Sequence, residues 1–362
     1  MNYNKIVQGI LDIGEAMLQS GAENFRLEDS FYRMCRSYGF KRSDVFVIPS
    51  NIQVTVETPE GEIITQIRHI ESSEPNFDQL DYLNNLCRYV CQHTPDENEM
   101  REKYLEVINR EPQKRITRYA AGIMGGTGFA VFFGCNLWDA VIAFIVSVMI
   151  VAVGDWLAKR ESNLLVYNGI LAFISEVIII GALKMGIAEH PDRIMIGIVM
   201  LLISGLSTTN GIRDLLQRDF ISGFINIMNS FLGAAGIAFG IGLAIILFHE
   251  GYSDHFILNH SVPIQLLSCT VACTGFALWF KIRGKQVWYN SIGAFFTWAI
   301  YVAVYAVKPS NFLATMIAAG FVGFYAFIMS RVNKAPSTIF LTASVFPLIP
   351  GPNLYYLSLI HI

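Results

Sequence analysis

Apolar runs long enough to cross a bilayer recur from Tyr119 to the end of this 362-residue chain, and no other feature narrows its fold as far. A hydrocarbon core needs about 20 consecutive apolar residues in helical form. The runs lie at about 119–135, 138–157, 164–187, 193–209, 224–248, 264–280, 287–307, 311–330 and 337–356, nine in all. Charge is distributed to match. Of the 55 Asp, Glu, Lys and Arg residues, 33 fall in the first 118 positions and only 22 in the remaining 244. A water-soluble head of ordinary composition therefore precedes a segment too apolar for water. That excludes a purely soluble enzyme, a secreted disulfide scaffold and a disordered chain. A net charge of −3 offers no basic surface for a nucleic-acid partner.

The head, residues 1–112, reads as a small α/β domain. Ile6, Ile10, Ile13, Met17 and Leu18 repeat at helical spacing, and Ser20-Gly21 stops that helix. Phe25 to Tyr38 is a second helix with Gly39 as its cap. The period then falls to two at Val45, Val47, Ile52, Val54 and Val56, broken by Pro49-Ser50-Asn51. Pro59 to Glu62 turns into a further strand, Ile63 to Ile70. Phe77 to Cys91 returns to helix, residues 93–100 read as a polar linker, and a charged helix follows at about 100–110. Met1 to Ser20 has Lys5, Asp12 and Glu15 within its apolar pattern, so it lacks the core of a signal peptide. His69, His93 and the nearby carboxylates fit no hydrolase, metalloprotease or phosphate-loop spacing. The charged stretch Glu23 to Asp29 reads as a solvated helix face. Cys35, Cys87, Cys91, Cys135, Cys269 and Cys273 read as free thiols of a reducing compartment. Their four-residue spacings suit a helix face better than a metal site, and no cofactor is expected.

Basic residues set the orientation. Lys114, Arg115, Arg118, Lys159, Arg160, Arg213, Arg218, Lys281, Arg283, Lys285, Arg331 and Lys334 all fall on one side if the runs alternate; Arg193 and Lys308 fall on the other, with Lys184 near a helix end. The head is then cytoplasmic. The membrane part divides at 113–254 and 255–362. The fourth run breaks at Ser204 to Gly211 and the ninth at Phe346 to Asn353, where glycine and proline free backbone groups that lipid cannot satisfy. With five runs per half, both breaks fall in the fourth. Five is odd, so the halves have inverted topology, as in secondary transporters. The expected fold class is a polytopic α-helical membrane protein with two inverted halves of about five spans, about nine being present.

Three ordered motifs resemble the threonine/serine exporter family. They are Gly21-Ala22-Glu23-Asn24-Phe25-Arg26-Leu27-Glu28-Asp29 with Tyr38-Gly39; Asn210-Gly211-Ile212-Arg213-Asp214-Leu215 with Asp219 and Ser222-Gly223; and Pro347-Leu348-Ile349-Pro350-Gly351 with Leu354-Tyr355. The resemblance implies a cytoplasmic head, about ten spans, and export of small amino acids driven by the proton-motive force, in the inner membrane of a bacterium. Some members are split in two near residue 255, and some split relatives are linked to export of a dicarboxylate such as succinate. Two departures follow. Family members have a span after the Pro-Gly motif, whereas this chain ends at Ile362, so a truncation is expected. Asn229 stands in the fifth span where many relatives carry a carboxylate.

An exported zwitterion needs two opposite recognitions. Backbone N–H groups at a half-helix start suit its carboxylate, and carbonyl or carboxylate oxygens suit its ammonium. Ser207, Thr208, Thr209 and Asn210 at one break, and Pro350, Gly351 and Asn353 at the other, are the candidate substrate-binding residues, against the plain alternative that Ser and Thr bond back to their own helix turn. Glu176 sits in the middle of the third run, where a carboxylate costs about 2.5–3.5 kcal/mol unless paired or neutral. It is the leading proton-coupling candidate, with Asp155 a second. Arg213 and Asp214, neighbours that point apart on one helix, are gate or structural candidates, together with Asn229. The expected partners are an amino acid or dicarboxylate, protons and the bilayer, with a homo-oligomer left open. A membrane-anchored hydrolase and a passive channel are the competing readings; nine runs far exceed what an anchor needs.

Overall fold

Asn2, Asn76 and Asp96 open three of the four N-terminal helices, each accepting a hydrogen bond from the backbone of the first turn. The computed structural model describes residues 2–71, 74–203, 205–248 and 261–349. Helix α1 (Tyr3–Gln19) buries Ile6, Ile10, Ile13 and Met17 on the face that its periodicity marks out. Helix α2 (Asn24–Ser37) follows, and Gly39 (φ +77°) turns the chain into the sheet. Strands β1 (Arg42–Ile48), β2 (Asn51–Glu57) and β3 (Ile63–His69) form an antiparallel meander in the order β1-β2-β3. Its buried face carries Val47, Ile52, Val54, Val56 and Ile64. Helix α3 (Phe77–His93) covers Phe77, Leu80, Leu83 and Leu86. Helix α4 (Glu97–Ile108) begins earlier than the expected polar linker allows. Asp96 accepts from the N–H groups of Asn98 and Glu99, and Glu97 and Glu99 sit at the positive end of the helix dipole, so residues that look like linker make a good first turn.

The remaining elements are helical: α5 (Arg115–Phe132), α6 (Leu137–Leu157), α7 (Leu164–Lys184), α8 (Pro191–Leu202), α9 (Gly205–Leu216), α10 (Phe220–Phe248), α11 (Val262–Trp279), α12 (Lys285–Val307), α13 (Asn311–Asn333) and α14 (Ser337–Val345), closed by a 3₁₀ turn at Phe346–Leu348. The protein is mostly helical and polytopic. Among the described residues, six helices are long and apolar enough to cross a membrane: α6, α7, α10, α11, α12 and α13. Three of the nine expected runs fall outside these six. Helices α8 and α9 reach the length and hydropathy of a span only together, as a pair bent by 58°, a broken span or a re-entrant loop, at the place where the glycine-rich break falls. Helix α5 begins with Arg115 and Arg118 and carries four glycines, which lowers its hydropathy. Helix α14 has only nine residues. Half of the second expected break, from residue 350 on, lies outside the described residues.

Glycines set the closest helix approaches. A Cβ on Gly128 of α5 would lie 2.9 Å from the Cα of Ala272 on α11, and one on Gly275 of α11 would lie 2.5 Å from the backbone nitrogen of Gly125. On α10, Gly236 and Gly240 meet α7 in the same way; Cβ atoms there would lie 2.3 Å from the Leu165 carbonyl oxygen and 2.2 Å from that of Gly169. At the opposite end of α5 from the arginines, Asn136 and Asp139 form a reciprocal cap on α6. Asp139 also accepts from the Glu189 and His190 N–H groups, which ties the start of α6 to the start of α8.

The packing pattern repeats. Helix α5 packs on α6 and α8, α6 on α7 and α8, and α7 on α8; likewise α11 packs on α12 and α14, α12 on α13 and α14, and α13 on α14. The N-terminal region rests on the second of these groups. Its buried apolar core continues into Ala277, Ile282, Ala335, Ile339, Phe340 and Ala343. The Phe77 N–H donates to the Phe280 carbonyl at 3.1 Å, and Gln286 donates to Asp81 at 2.9 Å.

Candidate functional site

The start of α2 meets the two short helices α9 and α14 at one carboxylate. Glu23 precedes α2 in extended conformation, which aims its side chain out of the N-terminal region. Glu23 Oε1 accepts from Thr338 Oγ1 of α14 at 2.5 Å and pairs with the Arg213 guanidinium of α9. Its other oxygen lies 3.4 Å from Arg26 Nε, and Arg26 donates to Ser337 Oγ at 2.8 Å. One turn of α2 thus holds both residues that begin α14. Asn24 makes the next link. Its amide approaches Asp214 Oδ2 at 3.5 Å, and Asn226 of α10 donates to that same oxygen at 3.0 Å. Asn24 and Asp214 are buried, and the Glu23 side chain is 10% exposed.

The reading of Glu23 to Asp29 as a solvated face is therefore corrected. Phe25 and Asp29 point outward, but Glu23, Asn24 and Arg26 face the membrane helices. Charged residues at a polar interface carry the same sequence signal as charged residues in water. The usable hint is that this stretch and Arg213-Asp214 both stand in the motifs quoted above, and the two are in contact. Glu28, half-buried on the same turn, is held above the usual carboxylate range by burial, and the charge of Asp219 adds to this. A hydrogen bond from the Val47 N–H partly offsets both.

The other candidates lie as follows. Arg213 and Asp214 leave α9 toward different partners, Glu23 and Asn24 respectively. Ser207, Thr208, Thr209 and Asn210 form the first turns of α9, just after the bend, where Thr209 Oγ1 donates back to the Gly205 carbonyl at 3.0 Å. Glu176 is fully buried in α7. Asp155, near the end of α6, is 2.8 Å from the Arg118 guanidinium of α5. Asn229 is on an exposed face of α10, one turn from Asn226. Pro350, Gly351 and Asn353 lie outside the described residues. Glu23, Asn24 and Arg26 stand in a quoted motif but were given no role from sequence, and Asn226, Ser337 and Thr338 were not singled out; their role emerges only when α2, α9, α10 and α14 meet.

Comparison with known proteins agrees with this arrangement of motifs. The family model of a threonine/serine exporter matches residues 8–248. A second, described as "Threonine/Serine exporter, ThrE", matches residues 265–360. The chain is 23% identical over 360 residues to a threonine/serine exporter of Corynebacterium glutamicum, covering 95% of this chain and 73% of that protein. It is 21% identical over 370 residues to a Mycobacterium tuberculosis protein named "Probable threonine/serine exporter", covering 97% of this chain and 69% of the relative. No solved structure matches it. With residues 8–248 and 265–360 matched in order, the chain belongs to the threonine/serine exporter family.

Proposed function

We propose that this protein exports small polar amino acids of the threonine and serine type across a bacterial membrane, driven by the proton-motive force, and is a transporter rather than an enzyme. The observation that carries the reading is the match to both exporter models, in a chain whose head motif touches α9 and α14 together. The repeated packing of α5–α8 and α11–α14 supports two inverted halves of about five spans, about nine of them in this chain. The excess of Lys and Arg at one end of the helices supports a cytoplasmic head.

In this reading the bend between α8 and α9 lies beside the path. A half-helix that starts at Gly205 turns the positive end of its dipole to a substrate carboxylate, and Ser207, Thr208, Thr209 and Asn210 offer hydroxyls and an amide. Pro350, Gly351 and Asn353 supply the matching surface of the second half. Glu23, Arg213 and Asp214 close the cytoplasmic side while they hold α9 and α14 together, with Asn229 near the same face. Glu176 carries the proton, and Asp155, already facing Arg118, is the secondary site.

The test is efflux and counterflow from proteoliposomes, with labelled threonine, serine and succinate and an imposed pH gradient. Threonine and serine flux that rises with the gradient is the expected result. Succinate flux alone would move the substrate to the dicarboxylates. Glu176→Gln should abolish the pH-gradient dependence while leaving counterflow between equal pH values; unchanged dependence would remove Glu176 from proton coupling.

A further inference from the structure

A cavity of about 540 Å³ opens beside the Glu23 junction, between α2, α3 and the start of α14. That volume lies within the roughly 300–1,000 Å³ range of small-molecule sites. Three guanidiniums line it, those of Arg26, Arg33 and Arg88, together with the carboxylates of Glu23 and Asp29. Asn84, also in the wall, has a buried amide nitrogen with no acceptor among the described residues. None of these groups belongs to the membrane path described above except Glu23, which forms its edge.

We propose that this cavity is a second binding site, on the head, for a free zwitterionic amino acid. The wall has both signs of charge. Planar guanidiniums bind a carboxylate through paired N–H groups. Glu23 and Asp29 supply acceptors for an ammonium. A dianion such as succinate or phosphate would gain from the arginines but would face these two carboxylates as well. The wall thus favours a ligand that carries one charge of each sign. Asp29 and Arg33 are 2.9 Å apart and both largely exposed, so they can exchange each other for a ligand at small cost. Occupancy reaches the membrane helices directly, because Pro336 and Thr338 also line the cavity and Glu23 holds Thr338 and Arg213. A ligand ammonium at Glu23 competes with Arg213 for the same carboxylate. The site therefore senses the amino acid on the head side and loosens the contact between α2, α9 and α14. The choice of an amino acid rests partly on the export reading above; the existence of the site does not.

Cys91 gives a local readout. It lines this cavity and is the one cysteine of the six that is not buried. The full-length protein in detergent is treated with N-ethylmaleimide, and modification of Cys91 is followed by peptide mass spectrometry with threonine, serine, succinate or inorganic phosphate present. Threonine and serine should slow Cys91 labelling several-fold, and succinate and phosphate should not. Arg33→Gln and Arg88→Gln should each reduce the protection, and the double variant should lose it, while the thermal stability of the chain stays near that of the parent. Absence of protection by either amino acid overturns the proposal. So does protection by succinate or phosphate as strong as by threonine, or protection that survives the double variant. Glu176→Gln separates the two readings: protection should persist in it. Protection without any amino-acid flux in the parent would sink the export reading and leave this site standing, whereas flux without protection would do the reverse.

Discussion

Two joints of opposite character link helices α5–α10 to α11–α14. At the α5–α11 seam, backbone meets backbone: Gly128 lies against Ala272, and Gly275 against Gly125, with no room for a Cβ. At the Glu23 junction, a single carboxylate and a few polar side chains bridge α9 and α14 from outside. Its glycine crossings leave no slack, and close-packed contacts of this kind shift between discrete arrangements rather than stretch. The junction consists of hydrogen bonds and ion pairs next to an open cavity, and water or a ligand can replace each of them. If the two groups of helices rock against each other, the seam is the pivot and the Glu23 junction is what parts.

Filling the seam should give the largest effect. Gly128→Leu places a branched side chain against the Ala272 backbone, which cannot rotate away. Overpacking of that kind costs about 3 kcal/mol. Thermal unfolding in detergent should show a large drop in midpoint, and a midpoint equal to that of the parent would remove the pivot role. Glu23→Ala should cost less overall, about 1–2 kcal/mol, because the Thr338 it abandons lines the open cavity and the Arg213 side chain is part-exposed. Its effect should be local. Hydrogen exchange of the amides in the first turn of α14 should accelerate several-fold, while amides at the α5–α11 crossing stay protected. Equal acceleration at both places would mean that the two joints are one cooperative unit.

The Arg118–Asp155 pair sharpens the same contrast on a smaller scale. It joins α5 to α6 at 2.8 Å, and each side chain is about one-third exposed, 37% and 34%. Exposed pairs of this type are worth about 0–1 kcal/mol. Arg118→Gln should therefore move the unfolding midpoint little. If Asp155 takes part in proton coupling, the same variant should shift the pH dependence of transport. An unshifted profile leaves the pair as a plain link between helices.

The two joints also differ in how far the sequence reveals them. Gly122, Gly125, Gly126 and Gly128 announce a packing face, because small residues at helical spacing have one common use in a membrane. The bend after α8 is visible as Ser204 to Gly211 for a similar reason: its cause is local. Glu23, Asn24 and Arg26 give no such sign. A carboxylate that pairs across 190 or more residues has the same neighbours in sequence as one in water, and only the meeting of α2 with α9 and α14 distinguishes them. The early start of α4 was hidden in a lesser way, since Asp96 and Glu97 suit a loop and a helix start equally. Glu176 was visible at once because a carboxylate among Ile174, Val177 and Ile178 contradicts its surroundings.

Glu28 offers the smallest and most specific test of the junction. It sits on α2, half-buried, with Asp219 opposite on the turn between α9 and α10 and the Val47 N–H beside it. Burial and Asp219 raise its pKa above the ordinary 4.5, and the Val47 hydrogen bond only partly offsets this. The folded state therefore holds its proton more tightly than the unfolded chain does. The stability this contributes is fully present below pH 4.5. It is lost as pH rises from there through the folded-state pKa, and it changes no further above that. Glu28→Gln cannot lose a proton, so it should gain in unfolding midpoint relative to the parent as pH rises across that window, and the difference should then level off. A difference that is flat with pH, or that grows on acidification, would mean that burial and Asp219 do not hold the Glu28 proton in the folded state. Because α2 is the element that bridges α9 and α14, the same titration should weaken the Glu23 junction and leave the glycine seam untouched. Hydrogen exchange at α14 that rises with pH in the parent, beyond the intrinsic dependence, but not in Glu28→Gln would separate the polar joint from the close-packed one.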